Sequence, residues 1–340
     1  MDGLLKIFGC DNAERLADII FVHGLDGDAR TTWRPKDNPQ AFWPAWLAEE
    51  IPQIGVWSLG YAVSSSAWKG QTMPLADRAT NSLDILELDG IGRRPVVFIG
   101  HSLGGLLIKQ MLRHACDYGN PAWQTIATQT KAIVFLSTPH SGADLASWIK
   151  YIGGLLRTTI TVEELEAHHP RLRELNLWYR NYVADSNIKT VVYCESEPVA
   201  GLRVVNETTA DPGIAGVIPI PVPEDHVSIC KPASKDSQIY RRVRQLVADI
   251  ATELRTPPDR SPATDIGRIK LDICRRLGAD WQNLADFFEI PPAERERFDK
   301  GWEPQRVWEW LERRVELARL AEGLRYIGRE DIAELADRPL

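Results

Sequence analysis

The chain of 340 residues contains no apolar run approaching the roughly 18 residues that a membrane-crossing helix needs. Residues 1–10 lack the basic, apolar and small-residue layout of a secretory leader. There is no surplus of positive charge: the formal net charge is −7. That excludes nucleic acid as the main partner, since nothing is left over to neutralise phosphates. Cys10, Cys116, Cys194, Cys230 and Cys274 are scattered, with no C-x-x-C pair. Neither a structural zinc site nor a disulfide framework is therefore indicated. Together these absences point to a soluble chain of a reducing cytoplasm. Peripheral contact with a membrane surface stays compatible with them.

What is present is a large apolar fraction, 44 %, on a chain too long for one ordinary small domain. Apolar segments with strand character alternate with helical patterns. The strand-like segments are residues 4–8, 18–22, 54–59, 96–99, 131–136 and 189–194, with a shorter one at 217–220. Residues 42–50 read as a helix, and so do residues 75–88, where Leu75, Ala79, Leu83 and Leu86 recur at helical spacing. Strands apolar on both sides, alternating with helices, predict an α/β fold: a mostly parallel sheet covered on both faces. Twelve tryptophans are many for this length. Trp33, Trp43, Trp46, Trp57 and Trp68 crowd the first quarter, where they would fill the core or line an acyl pocket.

The most informative stretch is Gly100-His101-Ser102-Leu103-Gly104-Gly105. It follows the strand-like Val96-Val97-Phe98-Ile99 and leads into a helical run. Strand, G-x-S-x-G and helix make up the nucleophile elbow, in which a serine stands on a strained turn with its hydroxyl thrust out of the sheet. Side chains two residues before and after the serine would collide, hence Gly100 and Gly104. The helix that follows aims its N-terminus at the site, where negative charge develops on a substrate oxygen. Ser102 is thus the expected nucleophile.

In this arrangement the acid follows in the chain and the histidine comes last. His226 lies between the last strand-like segment and a helix expected at residues 237–254, the position of the general base. Glu195 and Glu197 stand at the end of the 189–194 strand. Glu195 is the first choice for the acid; Glu197, Asp225 and Asp211 are the alternatives. One oxyanion-hole N–H is expected from Leu103. The other is expected from Leu25, in His23-Gly24-Leu25-Asp26-Gly27, where Gly24 lets the backbone turn toward the substrate. His23 is expected to brace that loop. Gly24, His101 and His140 are the remaining residues expected at the substrate.

Residues 143–185 are helical in pattern and sit between two strands, as a lid over a hydrophobic pocket or as a fixed helical layer. Residues 255–264 hold three prolines and no large apolar side chain, which marks a linker. From residue 265 to 340 the pattern is helical and rich in charge, with no strand signal. A separate small helical bundle is predicted there. The hydrolase unit would span residues 1–254.

His23-Gly24-Leu25, Gly60-Tyr61 with Trp68 beyond, Gly100-His101-Ser102-Leu103-Gly104-Gly105, Thr138-Pro139-His140, and Asp225-His226 before Ile229-Cys230-Lys231-Pro232 give the first unit a specific resemblance. It resembles the lipase-like α/β-hydrolases grouped with the serine-active-site-containing protein and the GPI inositol-deacylases. Tyr193-Cys194-Glu195 matches that family's placement of the acid loosely. The resemblance implies hydrolysis of a carboxylic ester, often of a lipid, with no metal or organic cofactor. Residues 265–340 resemble a death-fold domain in Leu277-Gly278, Asp280-Trp281, Leu284-Ala285, Trp308, Trp310-Leu311 and Ile327-Gly328-Arg329-Glu330-Asp331-Ile332-Ala333. That resemblance implies about six short helices, homotypic contact with other death-fold domains, and self-oligomerisation. An effector esterase in immune, antiviral or cell-death signalling is the expectation. A catalytically silent scaffold or adaptor, and a serine peptidase, are the alternatives.

Overall fold

The fold is taken from a computed structural model, which describes residues 3–24, 27–61, 74–140, 169–199, 201, 203–255 and 262–337. They fall into two compact units, Met1–Arg255 and Thr256–Leu340.

The first unit is built on a seven-stranded sheet: β1 (Gly3–Phe8), β2 (Ala17–Val22), β3 (Ile54–Gly60), β4 (Val96–His101), β5 (Thr130–Leu136), β6 (Lys189–Glu195) and β7 (Ile220–Val222). The spatial order is β1-β3-β2-β4-β5-β6-β7. Only β1 runs antiparallel, against β3; every other pair is parallel. β2 to β5 are almost wholly buried, as their uninterrupted apolar sequences require. The last strand starts three residues later and ends two residues later than the 217–220 run suggested. Pro219 and Pro221 lack amide donors, so pairing is confined to three residues at the sheet edge.

Alternate residues of each strand feed two cores. On one face Ile20, Val22, Phe98, Ile133 and Phe135 pack under α2 (Leu75–Leu88) and α3 (Leu103–Asp117), joined by α4 (Pro121–Gln129) and α5 (His169–Ala184). On the other, Ile19, Phe21, Val97, Ile99 and Val134 pack under α1 (Trp43–Glu50). The same core takes in Ile239, Tyr240, Val243 and Val247 from the helix Gln238–Arg255. Trp33 and Trp43 sit edge-on to Phe21 in this second core, and Trp57 is buried in the first, so these three fill the core. Trp68 and the segment 143–168 lie outside the described residues. The rest of the expected lid is α5, whose Leu175, Tyr179 and Val183 are buried. Tyr179 meets Phe135 of β5 edge-on, so this part packs on the sheet.

The second unit is helical throughout its described residues: Pro262–Leu277, Trp281–Phe287, Pro292–Arg295, Glu303–Arg313, Leu320–Tyr326 and Glu330–Ala336. Its core gathers Ile273, Leu277, Leu284, Trp308, Leu311, Leu324 and Ile332. The first helix begins at Pro262, inside the stretch expected as linker. Proline suits a first helical turn, where its missing N–H leaves no bond unmade.

Candidate active site

β4 delivers Ser102 to the C-terminal edge of the sheet. Ser102 stands between β4 and α3 with φ 51° and ψ −123°, a strained conformation for a residue with a side chain. Three glycines make the turn possible. A Cβ on Gly100 would lie 2.9 Å from the backbone of Gly105. One on Gly104 would run into the carbonyls of Val22 and His23, and one on Gly24 would come within 2.9 Å of the Ser102 Cβ. The loop after β2 therefore passes directly over the serine. Leu103 opens α3, so its N–H belongs to the helix end that lacks intrahelical acceptors. Leu25 lies outside the described residues.

The loop after β7 brings His226 to the same place. His226 Nε2 is 3.1 Å from Ser102 Oγ, and its Nδ1 is 3.3 Å from Glu195 Oε1. All three side chains are buried: Ser102 is 2 % exposed, His226 4 % and Glu195 0 %. The carboxylate can only accept at Nδ1, so that nitrogen carries the proton and Nε2 faces the serine hydroxyl as an acceptor. Glu195 is the last residue of β6. Burial alone would raise its pKa. The His226 bond and charge, a bond from Ser137 Oγ to Oε2, and the Val205 N–H at 2.5 Å from Oε1 outweigh that and hold it below the ordinary value.

The other acid candidates are placed elsewhere. Glu197 and Asp211 are exposed. Asp225 accepts the Val227 and Ser228 N–H groups at 2.8 and 2.7 Å, closing the turn that carries His226. That turn is tied to the core by Cys230, whose carbonyl accepts from Trp43 Nε1 at 2.9 Å.

Three further histidines of the first unit, His23, His101 and His140, are buried. His23 is buried, stacks on Tyr61 at 4.4 Å, and receives the Tyr61 hydroxyl on its carbonyl. His101, expected at the substrate, has Nε2 on the His226 carbonyl at 2.8 Å. A carbonyl accepts only, so His101 Nε2 carries a proton and donates; burial above all, with repulsion from His226 when that ring is protonated, pushes the His101 pKa down to about 3 and keeps the ring neutral. His140, also expected at the substrate, is 3 % exposed and lies 2.7 Å through Nδ1 from Lys109 Nζ. Lys109 also donates to Asn176 Oδ1 at 2.7 Å and lies 4.6 Å from the Tyr179 ring. These contacts place His140 in the interior, held between Lys109 and the backbone of Thr209.

Sequence reasoning missed Ser137, the Val205 amide and Lys109. Serine, a backbone N–H and one lysine in a helix carry no local pattern, and only the packing of distant segments reveals them.

Residues 267–339 match the family described as Bacterial Death-like domain 3. The chain joins an α/β-hydrolase fold to a death-like domain. The hydrolase part is similar to protein SERAC1 of Bos taurus and of Homo sapiens, 35 % identical over 257 residues in each case. Those matches cover 68 % of this chain and 39 % of the relative, so this chain spans about two fifths of the length of the curated relatives it matches. A solved carboxylesterase of Nitrososphaera gargenis is similar at 13 % identity and a TM-score of 0.47, covering 74 % of this chain and 95 % of the other. Among the described residues no helix is long and apolar enough to cross a membrane.

Proposed function

We propose that the first unit is a serine esterase that cleaves a carboxylic ester with a hydrophobic acyl group, a lipid being the substrate class. The observation that supports this best is the unbroken chain from Ser102 Oγ through His226 to Glu195, at 3.1 and 3.3 Å, on a strained elbow. The roles follow from the atoms. Ser102 Oγ attacks the ester carbonyl carbon while His226 Nε2 takes its proton. The Leu103 N–H, with Leu25 as the second donor, stabilises the oxyanion; each such donor contributes roughly 10²–10³ in rate. His226 then hands the proton to the leaving alkoxide, and the alcohol departs from the acyl-enzyme. Water, deprotonated by the same nitrogen, releases the carboxylic acid and restores Ser102. Glu195 holds the tautomer and stabilises the imidazolium.

The death-like unit recruits or oligomerises the enzyme through contact with other death-fold domains, including copies of itself. Recruitment thereby places the ester hydrolysis where a signal gathers death-fold domains, as suits a defence or cell-death effector acting from the cytoplasm. The test is a substrate panel of p-nitrophenyl acyl esters, phospholipids and peptides with the full chain and with Ser102→Ala. Ester cleavage lost in the variant is the expected result. Cleavage of peptides without any ester would make the unit a peptidase, and no turnover by either protein would favour a scaffold.

A further inference from the structure

Ser102 has a neighbour that repeats its geometry one strand over. His101, the last residue of β4, is in register with Leu136, the last residue of β5. The next residues are Ser102 and Ser137. Both are serines, and both have a left-handed backbone, φ 51° and φ 46°. Each donates its N–H across to the adjoining strand, Ser102 to the Leu136 carbonyl and Ser137 to the Tyr193 carbonyl, both at 2.9 Å. The next strand, β6, ends in Glu195. Three adjacent strand ends thus carry Ser102, Ser137 and Glu195 in a row.

Left-handed backbone is costly for a serine, and it persists where the surroundings hold it for a purpose. Here it turns the Ser137 hydroxyl onto Glu195 Oε2, which leaves Oε1 for His226 and the Val205 amide. Ser137 is fully buried.

We propose that Ser137 is a positioning residue for ester hydrolysis, a second elbow whose hydroxyl fixes the rotation of the Glu195 carboxylate so that one oxygen faces His226. This rests on the esterase reading above. The groups facing Glu195 are His226 and Ser137, with the Val205 amide, while His101 backs His226 and the Cys194 thiol adjoins it on β6. Without the Ser137 donor, a buried carboxyl is harder to keep ionised, and it protonates at higher pH.

The experiment measures the rate of fluorophosphonate labelling of the full chain from pH 5 to 9, for wild type, Ser137→Ala and Ser137→Gly, with melting curves alongside. Alanine keeps the backbone strain and glycine relieves it; both lack the hydroxyl. Should the alanine variant fail to fold, glycine, at ease in this conformation, carries the test. The expected result is a plateau rate lower by roughly tenfold to a hundredfold in both variants, the cost of leaving a charged buried acceptor short of a donor. The loss of labelling on the acid side should also move to higher pH. Variants that label like wild type at every pH overturn the positioning role while leaving the esterase reading standing. So does a glycine variant that regains the wild-type rate, because strain and not the hydroxyl would then matter. A wild type that never labels removes the esterase reading and this role together.

Discussion

Among the described residues the buried residues of polar or charged type lie in the first unit, Arg15, Asp18, Lys109, His140, Ser102, Ser137, Glu195 and His226 among them, whereas the buried polar atoms of the helical unit include Trp308 Nε1 and Gln305 Oε1. The charges of the second unit stand in pairs at or near its surface, such as Arg295–Asp286, Arg306–Asp299 and Arg329–Asp280. A buried charge costs several kcal/mol unless it is well partnered, whereas an exposed pair contributes about 0–1 kcal/mol. Strain divides the same way. The left-handed non-glycine residues of the first unit, Ser102 and Ser137, meet at one site; those of the second, Glu289 and Val315, are exposed turn residues. The first unit thus buries charge and backbone strain together at the Ser102–His226–Glu195 site. The second builds its core from apolar and aromatic side chains and leaves its charged groups at or near the surface, where another protein can meet them.

Substitutions can break that contrast. The largest effect is expected from Ser102→Ala, a loss of about 10⁶ in ester turnover, read from steady-state rates on the best ester of the panel. Glu195→Gln should cost roughly 10⁴, because an amide no longer favours the right imidazole tautomer; a loss below tenfold would return the acid role to another carboxylate. Gly104→Ala forces a methyl group against two carbonyls of the loop after β2. Its expected cost is about 1–3 kcal/mol of overpacking, seen as a lower melting temperature of the first unit.

Lys109 sharpens the contrast through pH. Burial holds its pKa well below the usual 10.5. In the window between that lowered value and 10.5 the folded state carries a neutral amine while the unfolded state binds a proton. The unfolded state then binds more protons, so stability rises with pH. Lys109→Met should flatten the rise in melting temperature as the pH climbs toward 10.5; an unchanged slope would mean that Lys109 stays charged in the fold. The smallest effect is expected from Arg319→Gln, which removes exposed pairs with Glu316 and Glu322. It should leave both the melting of the helical unit and ester turnover unchanged.

Much of this was legible because local geometry imposes local sequence. The elbow leaves glycines at fixed offsets from Ser102, each explained by a specific collision. His226 and Glu195 could be placed by chain order and by the end of a strand. The boundary of β7 was blurred because Pro219 and Pro221 permit pairing only in a narrow register. Pro262 was read as linker although proline opens a helix as readily as it ends one. His101 is expected at the substrate from its place beside Ser102, and His140 from its place in the loop after a strand. One ring nitrogen of each is committed, His101 Nε2 to the His226 carbonyl and His140 Nδ1 to Lys109, which depends on residues 125 and 31 positions away. Ser137 was hidden for the same reason: its meaning lies in the register of three neighbouring strands.

The most direct measurement is peptide mass mapping of the full chain after treatment with a fluorophosphonate, for wild type and His226→Ala. An activated serine requires a single adduct, on Ser102, that disappears in the His226 variant. An unlabelled Ser102 in the folded wild-type protein, or an adduct that survives the loss of His226, would contradict the catalytic reading of the site.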